Sequence, residues 1–105
     1  MSPENAVKCA IGDYLSARGI FWWKVSNMGV FRGDGSYSFA GTRGVPDIEC
    51  ILPGGIYCGI EAKSKRGVQS PAQKAFQARV LRAGGRYLVA RSAADVDDFW
   101  EGIAP

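Results

Sequence analysis

The sequence predicts an α/β fold whose elements follow one another in the order αβββαβα. Three observations predict it: helix-start signals open three segments, four short runs are rich in β-branched and aromatic residues, and glycine-rich stretches separate them. The chain has 105 residues, which is enough to bury one hydrophobic core. We therefore expect a single domain over residues 1–105.

The first half of the chain begins with a helix. Ser2 and Pro3 form a good cap and first turn, and apolar residues then recur at helical spacing up to Gly19, so we expect a helix over 3–18. Residues 20–25 are aromatic and β-branched and predict a strand. A connection rich in glycine, serine and aspartate follows over 26–43, and its length is typical of functional loops.

The second half predicts a hairpin, two helices and a last strand. Residues 46–52 and 56–63 are strand-like runs joined by a short glycine-containing turn. Ser70, Pro71 and Gln73 have the pattern of a capping box, so we expect a helix over 71–83 that ends at Gly84. A strand over 86–90 and a final acidic helix that reaches about residue 101 complete the order.

Composition excludes several classes of protein. The chain has no histidine, so it cannot build a Ser-His-Asp system or a histidine-ligated metal site. Its three cysteines have no Cys-x-x-Cys spacing, and we interpret all three as reduced, buried thiols. No apolar run is long enough to span a membrane and the N-terminus lacks secretory features, so we expect a cytoplasmic protein that does not contact a membrane.

Positive charge is concentrated in the segment 61–86. This segment contains seven basic residues and one acidic residue, whereas the whole chain has a net charge of +3. Such a segment is typical either of a solvated face that keeps a protein soluble or of a phosphate-binding face.

Two carboxylates face each other in the predicted hairpin. Asp47 and Glu49 share one face of the first strand, and Glu61 and Lys63 share one face of the second, because side chains alternate along a strand. A hairpin centred on Gly54 places Asp47 opposite Glu61. Facing carboxylates destabilise a sheet unless a cation bridges them or one of them keeps its proton.

These residue types suit phosphoryl chemistry with a hard metal ion. Two acidic oxygens and a main-chain carbonyl can hold Mg²⁺, which activates water and polarises a phosphate. A neighbouring lysine can orient the water and stabilise the transition state. The alternative is ordinary: Pro-Asp is common turn chemistry, and Glu-x-Lys on a strand is usually a solvated face.

The motifs in this region resemble those of a known family. Gly44-Val45-Pro46-Asp47, Glu61-Ala62-Lys63 and Ser70-x-x-Gln73 are similar to the motifs of the VRR-NUC (virus-type replication-repair nuclease) domain of the PD-(D/E)xK nuclease superfamily. The resemblance implies a restriction-endonuclease-like core with a mixed sheet flanked by helices. It also implies a metal-dependent endonuclease that cleaves branched or otherwise structured DNA in replication, recombination or repair, as Holliday-junction resolvases do.

The resemblance also implies roles for individual residues. Asp47, Glu61 and the Ala62 main-chain carbonyl match metal ligands, Lys63 matches the catalytic lysine, and Glu4 matches a first-helix acid that reaches the metal through water. Gln73 matches a helix glutamine that supports the site, and Asn27 matches a polar residue after the first strand. The implied cofactor is Mg²⁺, with Mn²⁺ as a substitute and no organic cofactor. We expect phosphate contacts from four basic residues: Arg43, Lys65, Arg66 and Lys74.

The remaining expectations concern partners and alternatives. Phe31, Tyr37 and Phe39 are candidates for contact with DNA or a second chain, and one of Trp22 and Trp23 is expected to pack inward. Because one small site cuts one strand, paired incisions predict a homodimer. The competing hypothesis is a non-catalytic module that binds nucleic acid through the basic segment 61–86; a protein-interaction adaptor has only the acidic last helix in its favour.

Overall fold

The computed structural model describes residues 1–25, 29–31, 37–39 and 42–103, and its main sheet has the predicted mixed arrangement. Three helices surround this sheet: α1 (Pro3–Ala17), α2 (Pro71–Arg82) and α3 (Ala93–Ile103). The sheet contains β1 (Phe21–Lys24), β4 (Ile48–Leu52), β5 (Ile56–Ala62) and β6 (Arg86–Ala90), in the spatial order β1-β4-β5-β6. Only the β5–β6 pair is parallel.

The connection between the first two predicted strands contains a structure that the sequence analysis missed. β2 (Gly29–Phe31) and β3 (Tyr37–Phe39) pair as a short antiparallel hairpin outside the main sheet. Each strand has only three residues, which is too short for a clear alternation of apolar and polar side chains.

The predicted helix caps are present. The Ser2 hydroxyl accepts a hydrogen bond from the Asn5 amide at the start of α1. At the start of α2, the Ser70 hydroxyl accepts from the Gln73 amide while the Gln73 side chain accepts from the Ser70 amide. These reciprocal bonds satisfy two amides that a helix N-terminus would otherwise leave without partners.

The hairpin of β4 and β5 has the predicted register. Cys50 pairs with Cys58 and Ile48 with Ile60, and the turn uses Gly54 and Gly55 at φ values of +90° and +79°. Glycine adopts these angles without the steric cost that a Cβ atom imposes. Because this turn sets the register, it also determines which residues beyond the paired strands lie opposite each other.

The core lies between the sheet and helices α1 and α3. Ile11 and Leu15 of α1 and Val96 of α3 pack there with Ile48 and Ile60. Trp22 packs on this side as well, against Gly12, which confirms that one of the two adjacent tryptophans faces inward. On the opposite face, α2 covers β6, and the Phe76 and Tyr87 rings lie 6.2 Å apart.

The cysteines follow the prediction in two cases and contradict it in one. Cys50 and Cys58 are buried free thiols on the core face, whereas Cys9 is exposed. The buried face of α1 contains Ile11, and a step of two residues rotates about 200° around a helix, so Cys9 lies on the opposite side. No helix in the described part of the chain is long and apolar enough to cross a membrane.

Candidate active site

Asp47 and Glu61 come together where β4 begins and β5 ends. The observed register continues to this point, and Asp47 Oδ2 accepts a hydrogen bond of 2.8 Å from the Ala62 amide. This bond ties the residue before β4 to the last residue of β5. The aspartate carboxylate is therefore held beside the Glu61-Ala62-Lys63 segment.

Glu61 is the one fully buried charged side chain among the described residues, with 0% of its surface exposed. Its Oε1 accepts a hydrogen bond from the Tyr87 hydroxyl, whereas its buried Oε2 has no hydrogen-bond partner among the described residues. A buried carboxylate oxygen without a partner is costly, because it loses its hydration and receives nothing in exchange. Such an oxygen is available to a ligand.

The environment of Glu61 raises the pKa of its carboxyl group. Burial is the main cause, and the negative charges of Asp47 and Glu4 act in the same direction. The Gln69 side-chain amide opposes them in part: it interacts with the Glu61 carboxylate outside regular hydrogen-bond geometry, while its regular hydrogen bond goes to Gln77 Oε1. The positive charge of Lys63 acts in the same direction as Gln69. Both Glu4 and Lys63 are thus close enough to influence this carboxylate electrostatically.

Two lysines contribute positive charge here. Lys8 lies one helical turn after Glu4, and its Nζ is 3.5 Å from Asp47 Oδ1. Lys63 is half-buried and forms no salt bridge with any residue in the described ranges. Lys63 is therefore free to act on a ligand, whereas Lys8 is already paired with an acid.

Arg91, which directly follows β6, forms hydrogen bonds with the loop after Lys63. Arg91 Nη1 donates to the carbonyl oxygens of Ser64 and Gly67, at 2.6 and 2.7 Å. Between these two anchors, Lys65 and Arg66 are exposed. The anchored loop holds two of the predicted phosphate-binding cations next to Lys63.

The first turn of α2 packs directly against the segment that leads into Asp47. A Cβ atom at Gly44 would lie 2.2 Å from the Ala72 carbonyl oxygen, and Gly44 has φ of +78°. Gln73 lies in this turn, where its side chain completes the cap of α2. This arrangement supports the segment before Asp47, but it uses the Gln73 side-chain oxygen in the cap.

A search of the solved structures finds a close match to this architecture. The chain matches a structure described as a VRR_NUC domain with a TM-score of 0.72 and 24% sequence identity, over 99% of this chain and 100% of the other. This chain has the fold of a VRR_NUC domain. The resemblance inferred from the sequence motifs is confirmed at the level of the fold. No protein-family model and no curated protein matches the chain.

The VRR_NUC fold brings Asp47 beside the Glu61-Ala62-Lys63 segment through the hydrogen bond from the Ala62 amide. Glu4 acts on the Glu61 carboxyl group electrostatically, as Lys63 does. Of the predicted phosphate-binding residues, all are exposed, and Lys65 and Arg66 lie in the loop beside the site. Asn27 lies outside the described residues, as do the side chains of Phe31, Tyr37 and Phe39. The role of each predicted residue remains a prediction.

The donor set in this VRR_NUC fold suits a hard cation. The described residues contain no group of three or more His, Cys, Asp or Glu side chains arranged for a metal ion. The predicted ligand set has only two direct acids, Asp47 and Glu61, with the Ala62 carbonyl as a third ligand. The Glu61 oxygen that has no partner in the described part of the chain, together with these hard oxygen donors, fits Mg²⁺ or Mn²⁺.

Glu49 lies on the same sheet face as Asp47 and Glu61, but its carboxylate binds aromatic side chains of the protein. Its Oε1 accepts a hydrogen bond of 3.1 Å from Trp23 Nε1, and its Oε2 accepts from the Tyr57 hydroxyl. Burial, followed by the Glu49 carboxylate, raises the pKa of Tyr57, so this hydroxyl stays a donor. Glu49 thus holds two aromatic side chains in place.

Three residues near the site were not identified from the sequence. Lys8 had a usable signal, because it lies four residues after Glu4 and so on the same face of α1. Tyr87 and Arg91 had none, because their positions depend on how β6 pairs with β5.

Proposed function

We propose that this chain is a metal-dependent endonuclease that hydrolyses phosphodiester bonds of DNA. The observation that carries the proposal is the buried Glu61 carboxylate, which lies beside Asp47 and Lys63 and has one oxygen without a partner among the residues that the structure describes. A purely structural acid would have its oxygens satisfied, as those of Glu49 are. The VRR_NUC fold supports the same reaction class.

Asp47, Glu61 and the Ala62 carbonyl would hold the metal ion, with Glu4 reaching it through water. When bound, Mg²⁺ or Mn²⁺ supplies a polarised phosphate and a more acidic bound water. The protein orients the ligands: the Ala62 amide holds Asp47, and the Tyr87 hydroxyl holds Glu61. Such preorganisation avoids rearrangement during the reaction.

Lys63 is the proposed catalytic lysine. Because it has no ion pair within the described ranges, its ammonium group can donate to the attacking water and to the phosphate oxygens on which charge develops. Lys65, Arg66, Lys74 and Arg43 would contact the flanking phosphates. These contacts release counterions, so binding should weaken steeply with salt.

The finer features of the proposal concern substrate and assembly. One site cuts one strand, so paired incisions in branched DNA require two copies, and we propose a homodimer acting on branched or otherwise structured DNA. Sedimentation of the chain with and without a four-way junction tests this point: a species with two chains per junction supports it, and one chain per junction contradicts it.

Cleavage of a labelled DNA panel tests the reaction itself. The panel comprises duplex, single-stranded, flapped and four-way DNA, each with Mg²⁺, Mn²⁺ or a chelator. We expect metal-dependent cutting that is abolished in Asp47→Asn and falls by about 10²–10³-fold or more in Lys63→Ala. Arg82→Ala is the control, because this exposed cation lies at the far end of α2.

Two results would contradict the proposal. A folded Lys63→Ala protein that cuts at the wild-type rate would remove the role given to Lys63. A folded wild-type chain that binds these DNAs through the basic segment 61–86 but cuts none of them would favour the non-catalytic binding module.

A further inference from the structure

The sheet face that carries the candidate site continues beyond it onto β1. Trp23 pairs with Glu49, and Phe21 pairs with Ile51. Paired residues on neighbouring strands share a face, and residues two apart on one strand do so as well. Phe21 and Trp23 therefore lie on the same face as Asp47.

This end of the face is open in the described part of the chain. Phe21 is 70% exposed, and its ring packs against that of Trp23 with centroids 5.2 Å apart. Helix α2 packs on the same face at its other end, mainly over β6.

The aromatic residues beside Phe21 are fixed in place. Trp23 and Tyr57 both donate their polar hydrogen to the same Glu49 carboxylate. Their hydrogen-bonding groups are satisfied within the protein, so what they offer a ligand is ring surface. Fixed rings lose little conformational entropy when a ligand binds.

We propose that Phe21 and Trp23 form a stacking platform for an unpaired nucleobase of the strand bound at the candidate active site. The proposal rests on the proposed function and narrows its substrate class to DNA with a single-stranded portion. Phe21 is level with Ile51, four residues along β4 from Asp47, or about 13 Å at the rise of a strand. One bound DNA strand can thus reach both the candidate active site and Phe21.

The size of the patch favours a base over a second copy of the chain. A phenylalanine side chain provides on the order of 150–250 Å², so the exposed part of Phe21 falls well below the ~800 Å² that each partner of a stable complex buries. A nucleobase needs only one ring face. Bases within a duplex already stack on their neighbours, so the platform selects an unpaired base.

The test compares three labelled ligands in the presence of a chelator, which prevents cleavage: oligothymidine, an abasic strand of equal length, and a duplex. We expect Phe21→Ala to weaken oligothymidine binding by about tenfold, within the range for losing one base stack. Binding of the abasic strand and the duplex should not change, since their phosphates are equivalent. Phe21→Trp, which keeps an aromatic ring, should bind oligothymidine as tightly as the wild type. Leu81→Ala removes an apolar side chain that is 50% exposed and should not change binding of any of the three ligands.

Three results would overturn the platform: no change in Phe21→Ala, equal weakening of all three ligands, or a changed oligomeric state without base-dependent loss, which would assign the patch to a second copy. The cleavage panel separates this proposal from the function on which it rests. Cutting by the wild type together with base-independent binding rejects the platform alone. Base-dependent binding without any cutting rejects the nuclease and leaves the platform.

Discussion

Replacing Glu61 by glutamine should stabilise the fold while it abolishes metal binding. The wild-type chain buries a carboxylate with one oxygen that has no hydrogen-bond partner among the described residues. An unsatisfied buried polar group costs about 1–3 kcal/mol, and a charged group costs more. Glutamine keeps an oxygen for the Tyr87 hydroxyl, and its amide group takes the position that has no partner among the described residues. An uncharged group without a partner costs less to bury than a charged one, so a net gain in stability remains.

The magnitude is large enough to measure in a chain of this size. A gain of about 1 kcal/mol raises Tm by about 4–8 °C in a domain of 60–100 residues. We expect at least this increase for Glu61→Gln without metal, at a pH above the folded-state pKa of Glu61, where the wild-type carboxyl group is ionised. Thermal unfolding followed by circular dichroism gives the comparison, and Asp98→Asn, which neutralises an exposed acid, is the control.

The pH dependence has a definite sign. The folded-state pKa of Glu61 is raised, so between its ordinary value of 4.5 and that raised value the folded chain binds more protons than the unfolded chain. Stability is therefore lost as pH rises through this window. The difference between Glu61→Gln and wild type should be small near pH 4 and reach its maximum above the folded-state pKa.

Bound metal should reverse this difference in stability, because it should stabilise the wild type more than Glu61→Gln. A ligand that binds only the native state at 100 times its Kd stabilises the wild type by about 2.7 kcal/mol, and Glu61→Gln should lose most of this gain. A glutamine variant that is no more stable than wild type at every pH above the folded-state pKa of Glu61 would refute the reasoning, because the buried carboxylate would then carry no cost.

Three further substitutions test the contacts around the candidate active site. Gly44→Ala should cost more than about 1 kcal/mol, measured as a fall in Tm, because the new Cβ would lie 2.2 Å from the Ala72 carbonyl oxygen; an unchanged Tm would contradict the close approach. Arg91→Ala should speed amide hydrogen exchange at Gly67 roughly tenfold, since the loop loses two hydrogen bonds; unchanged exchange would show that the loop is held without them. Lys65→Ala should reduce the slope of log K against log[salt] for duplex DNA by about 0.9, and an unaltered slope would remove this lysine from the phosphate contacts.

Local signals predicted most of the fold. The capping box at Ser70 and Gln73 placed α2 to within a residue, and the prediction of a strand over 86–90 was correct. The turn at Gly54 and Gly55 predicted the register of β4 and β5. These features succeed because a cap or a tight turn is decided by residues within a few positions of one another.

The failures have a common physical origin. The hairpin of β2 and β3 was missed because three-residue strands have no clear period. Cys9 was expected to be buried because cysteines usually are, but the phase of α1 places it on the outer side. No local pattern predicts the role of Arg91, because its carbonyl partners lie 24 and 27 positions earlier in the chain.

Alternation along the strands and a tight turn leave one register, so the order of the amino acids is enough to predict which side chains face each other at the open end of the hairpin. The tertiary structure alone decided how these residues are used. Pairing of β6 beside β5 brings Tyr87 to one oxygen of Glu61, whereas the other oxygen has no partner within the described ranges. Glu49 on the same face has both oxygens satisfied. The chemistry of a carboxylate depends on its burial and its partners, and those come from elements distant in the chain.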